Sequence, residues 1–458
     1  MVDIRGTNGP DQLVGGMDDD WFHDLGDGAD FIDGGGAGWD GMSYEHDGGT
    51  RGVVATWNGD GSGTVVDTFG NTDSFVGLRG ITGSRFADTM TVQAGAEILF
   101  DGSFGSDTYS VDAPQWATLT YGWLYDRDDP IGSRPDFVGV HIKLGEGKIY
   151  KFNGDVDTIN VTEHMEFRGT FFHDVIEGAN DGIATGLIGL SGSDLIIAGD
   201  TRDYVDYVRE GEHIGSGFNI NLATGQATNT VNGDVDTLVG FTEAQGSDFD
   251  DVIIGNDQSN FLVGNDGNDI IEGGAGRDFA AFWDRGQGDL QISGIGTDTV
   301  TVVDLVGDLS TDTLTNIERI VFGFDGVLAI DINGNAGQAY RLYQAAFDRT
   351  PDQDGLKFWI NRLDRSEDDV MSASRHFLAS DEFIDTYGTE DTVSNANFVE
   401  LLYRHTLGRE YEQGGYDYWV GRLASGDGTR SDLLAHFSES AENKDRVFDQ
   451  ISDGIWLG

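Results

Sequence analysis

The sequence of 458 residues contains no cysteine, only 5 prolines and no apolar run long enough for a membrane-spanning helix. Disulfide bonds and thiolate nucleophiles are therefore excluded. Basic residues are also scarce, because 27 Lys and Arg stand against 81 Asp and Glu, giving a formal net charge of −54. This charge argues against nucleic acid and anionic membrane surfaces as partners. Such self-repulsion opposes a compact fold unless cations neutralise it.

Signatures of several enzyme classes are also absent. The sequence has no H-E-x-x-H zinc-protease motif, no G-x-S-x-G nucleophile motif and no P-loop. Acidic residues are so common that their spacing alone cannot indicate a glycosidase pair. One enzymatic alternative stays open, a groove in which His164 and His173 act with Asp157 and Asp174. We nevertheless expect a protein without catalytic activity.

Glycine, in contrast, is abundant, with 69 residues, about twice its usual share. Residues 246–281 read as four consecutive nine-residue units, GSDFDDVII, GNDQSNFLV, GNDGNDIIE and GGAGRDFAA. Asp251, Asn260, Asp269 and Asp278 occupy the same place in each unit, and an apolar residue follows each of them by two. A period of nine fits neither a helix nor an alternating strand, so the segment is a repeat structure.

These units resemble the calcium-binding nonapeptide G-G-x-G-x-D-x-U-x of RTX proteins. Their glycines permit tight turns, and Ca²⁺ prefers carboxylate and carbonyl oxygens. The resemblance implies a parallel β-roll with two units per turn, in which Asp251 and Asp269 flank one calcium column and Asn260 and Asp278 the other. We expect the strongest sites here, weakened at Asn260 by its neutral amide. The predicted ligands of this segment are Asp251, Gly255, Asp257, Asn260, Gly264, Asp266, Gly267, Asp269, Gly273, Gly276 and Asp278.

Weaker copies of the unit occur elsewhere in the chain. Their spacing slips, because Asp30 and Asp40 are ten residues apart and Asp174 and Asp194 are 20 apart. The slips predict bulged turns or imperfect stacking. The further predicted calcium ligands are Asp11, Asp20, Asp30, Asp40, Asp88, Asp107, Asp174, Asp194 and Asp203.

A longer repeat of about 80 residues encloses these copies. Asp73, Asp157 and Asp236 begin similar segments at intervals of 84 and 79 residues, and a fourth begins near Asp312. An alternating, strand-like stretch precedes each one, the fourth being DTVTVV.

The predicted fold is mainly β with a C-terminal α domain: calcium-stabilised parallel β-roll or β-solenoid repeats interleaved with short β-strand units, then a duplicated helical domain. The predicted divisions are 1–45, degenerate RTX repeats; 46–115, 116–201 and 202–281, three β/RTX units; 282–335, a terminal β unit; 336–446, the helical domain; and 447–458, a secretion tail.

The helical part contains a duplication offset by 60 residues, in which AYRLYQAAFDRTPDQDGLKFWINRL aligns with FVELLYRHTLGREYEQGGYDYWVGRL. This segment resembles the DUF4214 domain, a helical module found at the end of secreted bacterial RTX-like proteins. Its repeated aromatic and arginine residues allow two interpretations. In the first interpretation, they bind a ligand such as a sugar ring. In the second, Trp359 and Trp419 pack in a helical core, while Arg349 and Arg409 brace turns through carboxylates. We favour packing.

The resemblances imply a non-enzymatic, secreted or cell-surface protein that folds on Ca²⁺ and acts in adhesion, matrix or surface-layer assembly. Two alternatives are a carbohydrate-binding or polysaccharide-modifying protein, and a calcium-dependent filament or lattice subunit. The expected partners are calcium, together with cell-surface polysaccharide or further copies of the chain. The N-terminal segment has no Sec-type signal peptide pattern, so type I secretion is the expected route, and the tail DRVFDQISDGIWLG is compatible with it.

Overall fold

The computed structural model describes residues 2–36, 38–112, 114–122, 138–307, 309–323, 325–389 and 391–458. The chain forms two compact bodies, Met1–Ile270 and Ile271–Gly458. Residues 123–137, which belong to the predicted segment 116–201, lie outside the described residues.

Each nine-residue unit of the first body forms a turn followed by a short strand. The apolar residue two places after the aspartate is buried, and Ile253 and Leu262 are 0 % exposed. A period of two places that residue on the inner face of its strand and its neighbours on the outer face. Successive strands alternate between two largely parallel sheets, with the apolar core between them. This arrangement confirms the predicted β-roll.

Twenty-seven strands and one α-helix lie in the first body as far as the described residues show. The N-terminal turns contain β1 (Val2–Arg5), β2 (Gln12–Val14), β3 (Asp20–His23), β4 (Phe31–Asp33) and β5 (Gly41–Ser43). The first long repeat contains β6 (Val54–Trp57), β7 (Gly63–Val66), β8 (Thr72–Val76), β9 (Gly80–Thr82), β10 (Thr89–Val92), β11 (Glu97–Asp101), β12 (Thr108–Val111) and β13 (Trp116–Thr120). The second contains β14 (Val138–Lys143), β15 (Lys148–Tyr150), β16 (Val156–Val161), β17 (Met165–Arg168), β18 (His173–Glu177), β19 (Thr185–Ile188), β20 (Leu195–Ile197) and β21 (Tyr204–Asp206). The third begins with α1 (Val208–Ile214), β22 (Phe218–Asn221), β23 (Gln226–Asn229), β24 (Val235–Val239), β25 (Glu243–Gln245), β26 (Val252–Ile254) and β27 (Phe261–Val263).

The first sheet of this body is parallel throughout, in the order β1, β3, β5, β9, β11, β13, β17, β19, β21, β25 and β27. The second sheet is interrupted in each long repeat by a three-stranded antiparallel meander. In the first repeat, β8 pairs in parallel with β4 of the preceding turn, and β6 pairs in parallel with β10 of the next. Asp73, Asp157 and Asp236, which mark the long repeat in the sequence, are each the second residue of the third meander strand.

The extra residues that break the nine-residue spacing lie in the turns. Gln12 pairs with Phe31 and Val175 pairs with Leu195, both in parallel register. Of the two expectations, bulged turns and imperfect stacking, the first fits these places, because the extra residues lengthen the loop and leave the strand pairing intact.

The second body begins with a further β segment, which contains β28 (Ile270–Glu272), β29 (Phe279–Phe282), β30 (Leu290–Ser293), β31 (Thr299–Asp304), β32 (Thr311–Thr315), β33 (Arg319–Phe322) and β34 (Gly326–Ala329). The strands β30, β31 and β32 form a fourth meander, and β32 pairs with β28. The stretch DTVTVV, predicted to be a strand ahead of Asp312, forms the middle strand of this meander, and LQIS supplies the first strand.

The helices of the second body repeat with the predicted offset of 60 residues. The first copy contains α2 (Asn335–Phe347), α3 (Gln353–Asp364), α4 (Val370–Leu378) and α5 (Asp381–Tyr387). The second contains α6 (Asn395–His405), α7 (Gln413–Ser425), α8 (Arg430–Ser438) and α9 (Ala441–Ile451). Equivalent N-caps, Ser380 and Ser440, accept hydrogen bonds from main-chain N–H groups three residues on.

The packing interpretation of the repeated aromatic and arginine residues agrees with these helices. Arg349 donates two hydrogen bonds to Glu382, at 2.8 and 3.0 Å, and Arg409 pairs with Glu442 in the same way. Trp359 and Trp419 are partly buried against the helical core.

The chain ends on the sheet of the second body. After α9, strand β35 (Ile455–Trp456) pairs with β34. Ile455 is buried in an apolar cluster with Ala329, Leu356 and Ile451. The predicted secretion tail, residues 447–458, thus contributes to a helix and to the edge of a sheet.

Candidate metal centre

Aspartates, most of them buried, form ladders along the second sheet of the first body. Each lies at or beside the first residue of a strand, and all but the last of a ladder donate their main-chain N–H to Oδ1 of the aspartate in the next layer. These N–H···O distances are 2.7 to 2.9 Å. We name three ladders by their first residue: the Asp11 ladder (Asp11, Asp30, Asp73), the Asp88 ladder (Asp88, Asp107, Asp157) and the Asp174 ladder (Asp174, Asp194, Asp236). A shorter one joins Asp251 to Asp269 at 2.9 Å.

The first glycine of a unit makes room for the carboxylate that closes the turn. A Cβ atom at Gly189 would lie 2.2 Å from Oδ2 of Asp194, and one at Gly264 would lie 2.0 Å from Oδ2 of Asp269. Both distances are far below van der Waals contact, so a side chain there would displace the carboxylate. At Asp251 this oxygen accepts the N–H of Ser247 at 2.6 Å. The aspartate therefore fixes both its own turn and the next layer.

A tyrosine hydroxyl donates to the last aspartate of each ladder. The pairs are Tyr44 with Asp73 at 2.8 Å, Tyr121 with Asp157 at 2.6 Å and Tyr207 with Asp236 at 2.9 Å. Sequence reasoning missed these aspartates as site residues because they lie outside the nine-residue units. A usable signal was present, since each of them is followed two residues later by an apolar side chain, as in the units themselves.

The ladders hold their carboxylates at an electrostatic cost. Burial raises the pKa of Asp88 and of Asp251 to about 6 and that of Asp73 to about 7. Burial, followed by repulsion from Asp174 and Asp236, raises the pKa of Asp194 above neutrality. Desolvation and neighbouring negative charge both disfavour the ionised form. A bound cation would relieve both.

The residues present fit a cation held by oxygen. Oδ2 of Asp30, of Asp40 and of Asp194 is buried and accepts no hydrogen bond from the residues that the structure describes. No three His, Cys, Asp or Glu side chains within the described ranges converge as a metal-binding group. Main-chain carbonyl groups must therefore complete any such site, and the glycine-rich turns carry them. Mixed carboxylate and carbonyl oxygen is the donor set of Ca²⁺.

Comparison with known families identifies these turns. Residues 3–23 and 245–280 match the family described as RTX calcium-binding nonapeptide repeat (4 copies). The chain carries RTX repeats, and they bind calcium. Repeats of this kind are typical of secreted proteins. Residues 374–447, from α4 to α9, match the domain of unknown function DUF4214, as expected from the duplication. Comparison with curated proteins finds no match.

Other predicted ligands lie on the opposite edge of the RTX roll, beside the first sheet. Asp20 donates its main-chain N–H to Asp40 at 2.8 Å, and Thr185 donates to Asp203 at 3.1 Å. Asn260 takes the same turn-closing place, with Oδ1 accepting from the N–H of Asn256 at 2.8 Å.

The remaining predicted residues of 246–281 occupy the turns. In the second body, Asp278 donates its main-chain N–H to Glu318 at 2.7 Å. Gly255, Gly264 and Gly273 are buried at the start of their turns, whereas Asp257 and Asp266 are exposed. Gly267 and Gly276 have φ of +115° and +133°, which L side chains rarely adopt.

The structure does not assemble the four residues of the groove-enzyme alternative. Nδ1 of His164 lies 2.6 Å from the carbonyl oxygen of Ala184, and His173 bonds the main chain of Ser193. Asp157 and Asp174 belong to separate ladders.

No helix in the described part of the chain is long and apolar enough to cross a membrane.

Proposed function

We propose that this protein is a non-enzymatic extracellular scaffold that folds on calcium and acts in cell-surface adhesion, matrix or surface-layer assembly. The observation that carries the proposal is the recurrence of the ladder. The middle carboxylates of the three ladders, Asp30, Asp107 and Asp194, lie at equivalent places and all have raised pKa values, whereas an active site gathers perturbed groups in one cleft. Their regular distribution suits a structural use of calcium.

Calcium would act through the linkage between binding and folding. Residues 1–335 contain 58 acidic and 15 basic residues and carry −43 of the net charge of −54. At cytosolic calcium this repulsion and the buried ladders oppose folding. Extracellular modules commonly bind calcium with Kd of about 10⁻⁴ to 10⁻³ M, so millimolar calcium outside the cell stabilises the folded state. Type I secretion fits this scheme, because the exported chain would fold only after release.

A second function, polysaccharide binding, is favoured by one feature of the helical domain. Phe358 and Tyr418, at equivalent positions of the two copies, are 54 % and 55 % exposed. An arginine lies over each ring, Arg362 at 5.6 Å and Arg422 at 5.9 Å from the centroid. Exposed aromatic faces flanked by donors suit sugar rings. We expect Phe358→Ala with Tyr418→Ala to abolish retardation in polysaccharide-containing gels, and no retardation of the unaltered protein would dismiss this function.

Chelation tests the main proposal. EGTA is expected to remove the β signal in far-UV circular dichroism and to spare the helical signal. The helical core is formed mainly by apolar side chains of the helices, such as Leu342, Phe377 and Phe437, and does not depend on the calcium-binding turns. Adding back calcium, but not magnesium at equal ionic strength, is expected to restore the β signal, because Mg²⁺ is smaller and demands octahedral geometry. Unchanged β structure in EGTA would overturn the proposal.

A further inference from the structure

Lys151 is a buried cation in the middle of the Asp88 ladder. Its side chain is 0 % exposed and begins at the turn that joins β15 to β16. Nζ lies 2.8 Å from Oδ2 of Asp107 and 3.0 Å from Oδ2 of Asp157. It also lies 2.8, 2.6 and 3.0 Å from the carbonyl oxygens of Gly102, Ser103 and Gly105. All three carbonyl groups belong to one glycine-rich turn, the turn that ends at Asp107.

This shell contains more oxygen than an ammonium group can use. Lysine has three N–H donors, whereas five oxygens from five residues lie within 3.0 Å of Nζ. Two carboxylates and three carbonyl groups form the kind of shell that Ca²⁺ accepts, with room in its coordination number for water. The cage thus has the composition of a calcium site with an ammonium at its centre.

Equivalent cages in the neighbouring ladders lack this lysine. The Asp174 ladder repeats the surrounding contacts: Ser193 accepts the N–H of Val235 at 3.1 Å, as Ser106 accepts that of Val156 at 3.0 Å. There, Oδ2 of Asp194 is buried without a hydrogen-bond donor among the described residues, as is Oδ2 of Asp30 in the Asp11 ladder.

The other two repeats also carry no positively charged residue at the position equivalent to Lys151. The first residue of the corresponding meander turn is Asp67 in the first repeat and Asn229 in the third, as their main-chain hydrogen bonds show. Each closes its own turn: Asp67 accepts from Phe69 at 3.0 Å, and Asn229 accepts from Val231 at 2.9 Å. Neither supplies a positive charge to its ladder.

We infer that the Lys151 ammonium permanently replaces a calcium ion between Asp107 and Asp157. The cages at Asp30–Asp73 and Asp194–Asp236 take calcium, and the middle cage does not. The Asp88 ladder therefore carries its own counter-charge and is the part of the roll that folds at the lowest calcium concentration. This inference rests on calcium binding by the other RTX turns.

The test is the calcium stoichiometry of Lys151→Ala in the full-length chain. Removing the side chain vacates the cage and leaves its five oxygens, so we expect one additional calcium ion per chain compared with the unaltered protein. Terbium offers a local readout, because Nζ lies 5.6 Å from the centroid of the Tyr121 ring. An ion at that place would be sensitised by tyrosine excitation. Lys148→Ala is the matched control, since that lysine, on β15, bonds Thr158 at 2.6 Å and forms no ion pair with a ladder carboxylate in the part of the chain that the structure describes.

The outcomes separate this inference from the proposed function. Lys151→Ala is expected to need more calcium than the unaltered protein to fold and to fold fully in millimolar calcium. A folded variant with unchanged stoichiometry overturns the inference, and so does a variant that no calcium concentration rescues. If chelation leaves the unaltered protein folded, the proposed calcium-dependent folding fails, while the comparison of stoichiometries still decides the role of Lys151.

Discussion

Replacing Asp194 by asparagine is expected to change stability in opposite directions with and without calcium. Oδ1 of Asp194 accepts the N–H of Asp174 at 2.7 Å, and asparagine preserves this bond. Oδ2 has no donor among the described residues, so an amide NH₂ in its place leaves no existing bond unpaired. Without calcium the substitution removes a carboxyl group that must take up a proton on folding, because burial, followed by repulsion from Asp174 and Asp236, raises its pKa. With calcium it removes a ligand.

The size of the first effect follows from proton uptake. An aspartate with a pKa of about 3.9 in the unfolded chain costs about 4 kcal/mol to protonate at pH 7. This cost is the upper limit of the destabilisation by Asp194, because the buried carboxylate takes up a proton whenever remaining ionised would cost more free energy. In calcium-free buffer we therefore expect Asp194→Asn to raise the free energy of unfolding by up to about 4 kcal/mol at pH 7.

The same linkage fixes the pH dependence. Because the pKa of Asp194 is raised in the folded state, its contribution to calcium-free stability is complete below the unfolded pKa and is lost as the pH rises through the folded pKa. Between about pH 4 and 7 the loss is about 1.4 kcal/mol per pH unit. The advantage of the asparagine variant should therefore vanish near pH 4.

Urea denaturation at pH 4 to 8, in EGTA and in millimolar calcium, measures these effects, with a stabilising osmolyte added if the calcium-free protein is unfolded. The matched control is Asp107→Asn, whose Oδ2 accepts from Lys151. That variant breaks a buried ion pair and should lose about 3–5 kcal/mol under both conditions. If both variants shift in the same direction in EGTA, the reasoning about the ladders is refuted.

Three further predictions concern other contacts. Arg319, 2 % exposed, donates hydrogen bonds to Asp331 and Asp364. Arg319→Ala should lower the free energy of unfolding by about 3–5 kcal/mol in urea denaturation. A loss below about 1 kcal/mol would contradict a stabilising role of this buried ion pair. Tyr44→Phe leaves a buried carboxylate oxygen without its donor and should cost about 1–3 kcal/mol by thermal unfolding, whereas an unchanged midpoint would exclude a stabilising hydroxyl. Ile455→Asp places a charge in an apolar cluster and should free the edge of β34, so that light scattering increases; a monodisperse variant would show that β35 does not protect that edge.

The nine-residue period was sufficient to predict the turns and the inward residues. Asp251 and Ile253 follow from it directly, because the turn and strand of each unit are local in sequence. The period could not place Asp73 in a ladder, since this aspartate accepts from Asp30, 43 residues away. It also could not reveal Lys151, whose five oxygen contacts are with residues separated from it by intervals of 6 to 49 residues. Such contacts depend on how the layers stack.

The helical domain was more predictable, because its duplication is close in sequence and its pairs recur. Arg349 with Glu382 and Arg409 with Glu442 keep the same separation of 33 residues. The return of β35 to β34 was not predictable, because the two strands are far apart in the chain and Ile455–Trp456 is too short to carry a strand pattern.

The meanders of the first body also set a distance between cations. From β4 to β12 the second sheet takes five strand-to-strand steps, through β8, β7, β6 and β10, and from β12 to β20 it takes five more. At about 4.8 Å per step, the path along this sheet between the middle aspartates of successive ladders is about 24 Å, so the repulsion between two ladders is much weaker than that between neighbouring aspartates of one ladder. The electrostatic interaction between ions bound in successive ladders is therefore weak. Rising calcium would therefore order the β-roll one ladder at a time, as a graded response instead of a single cooperative switch.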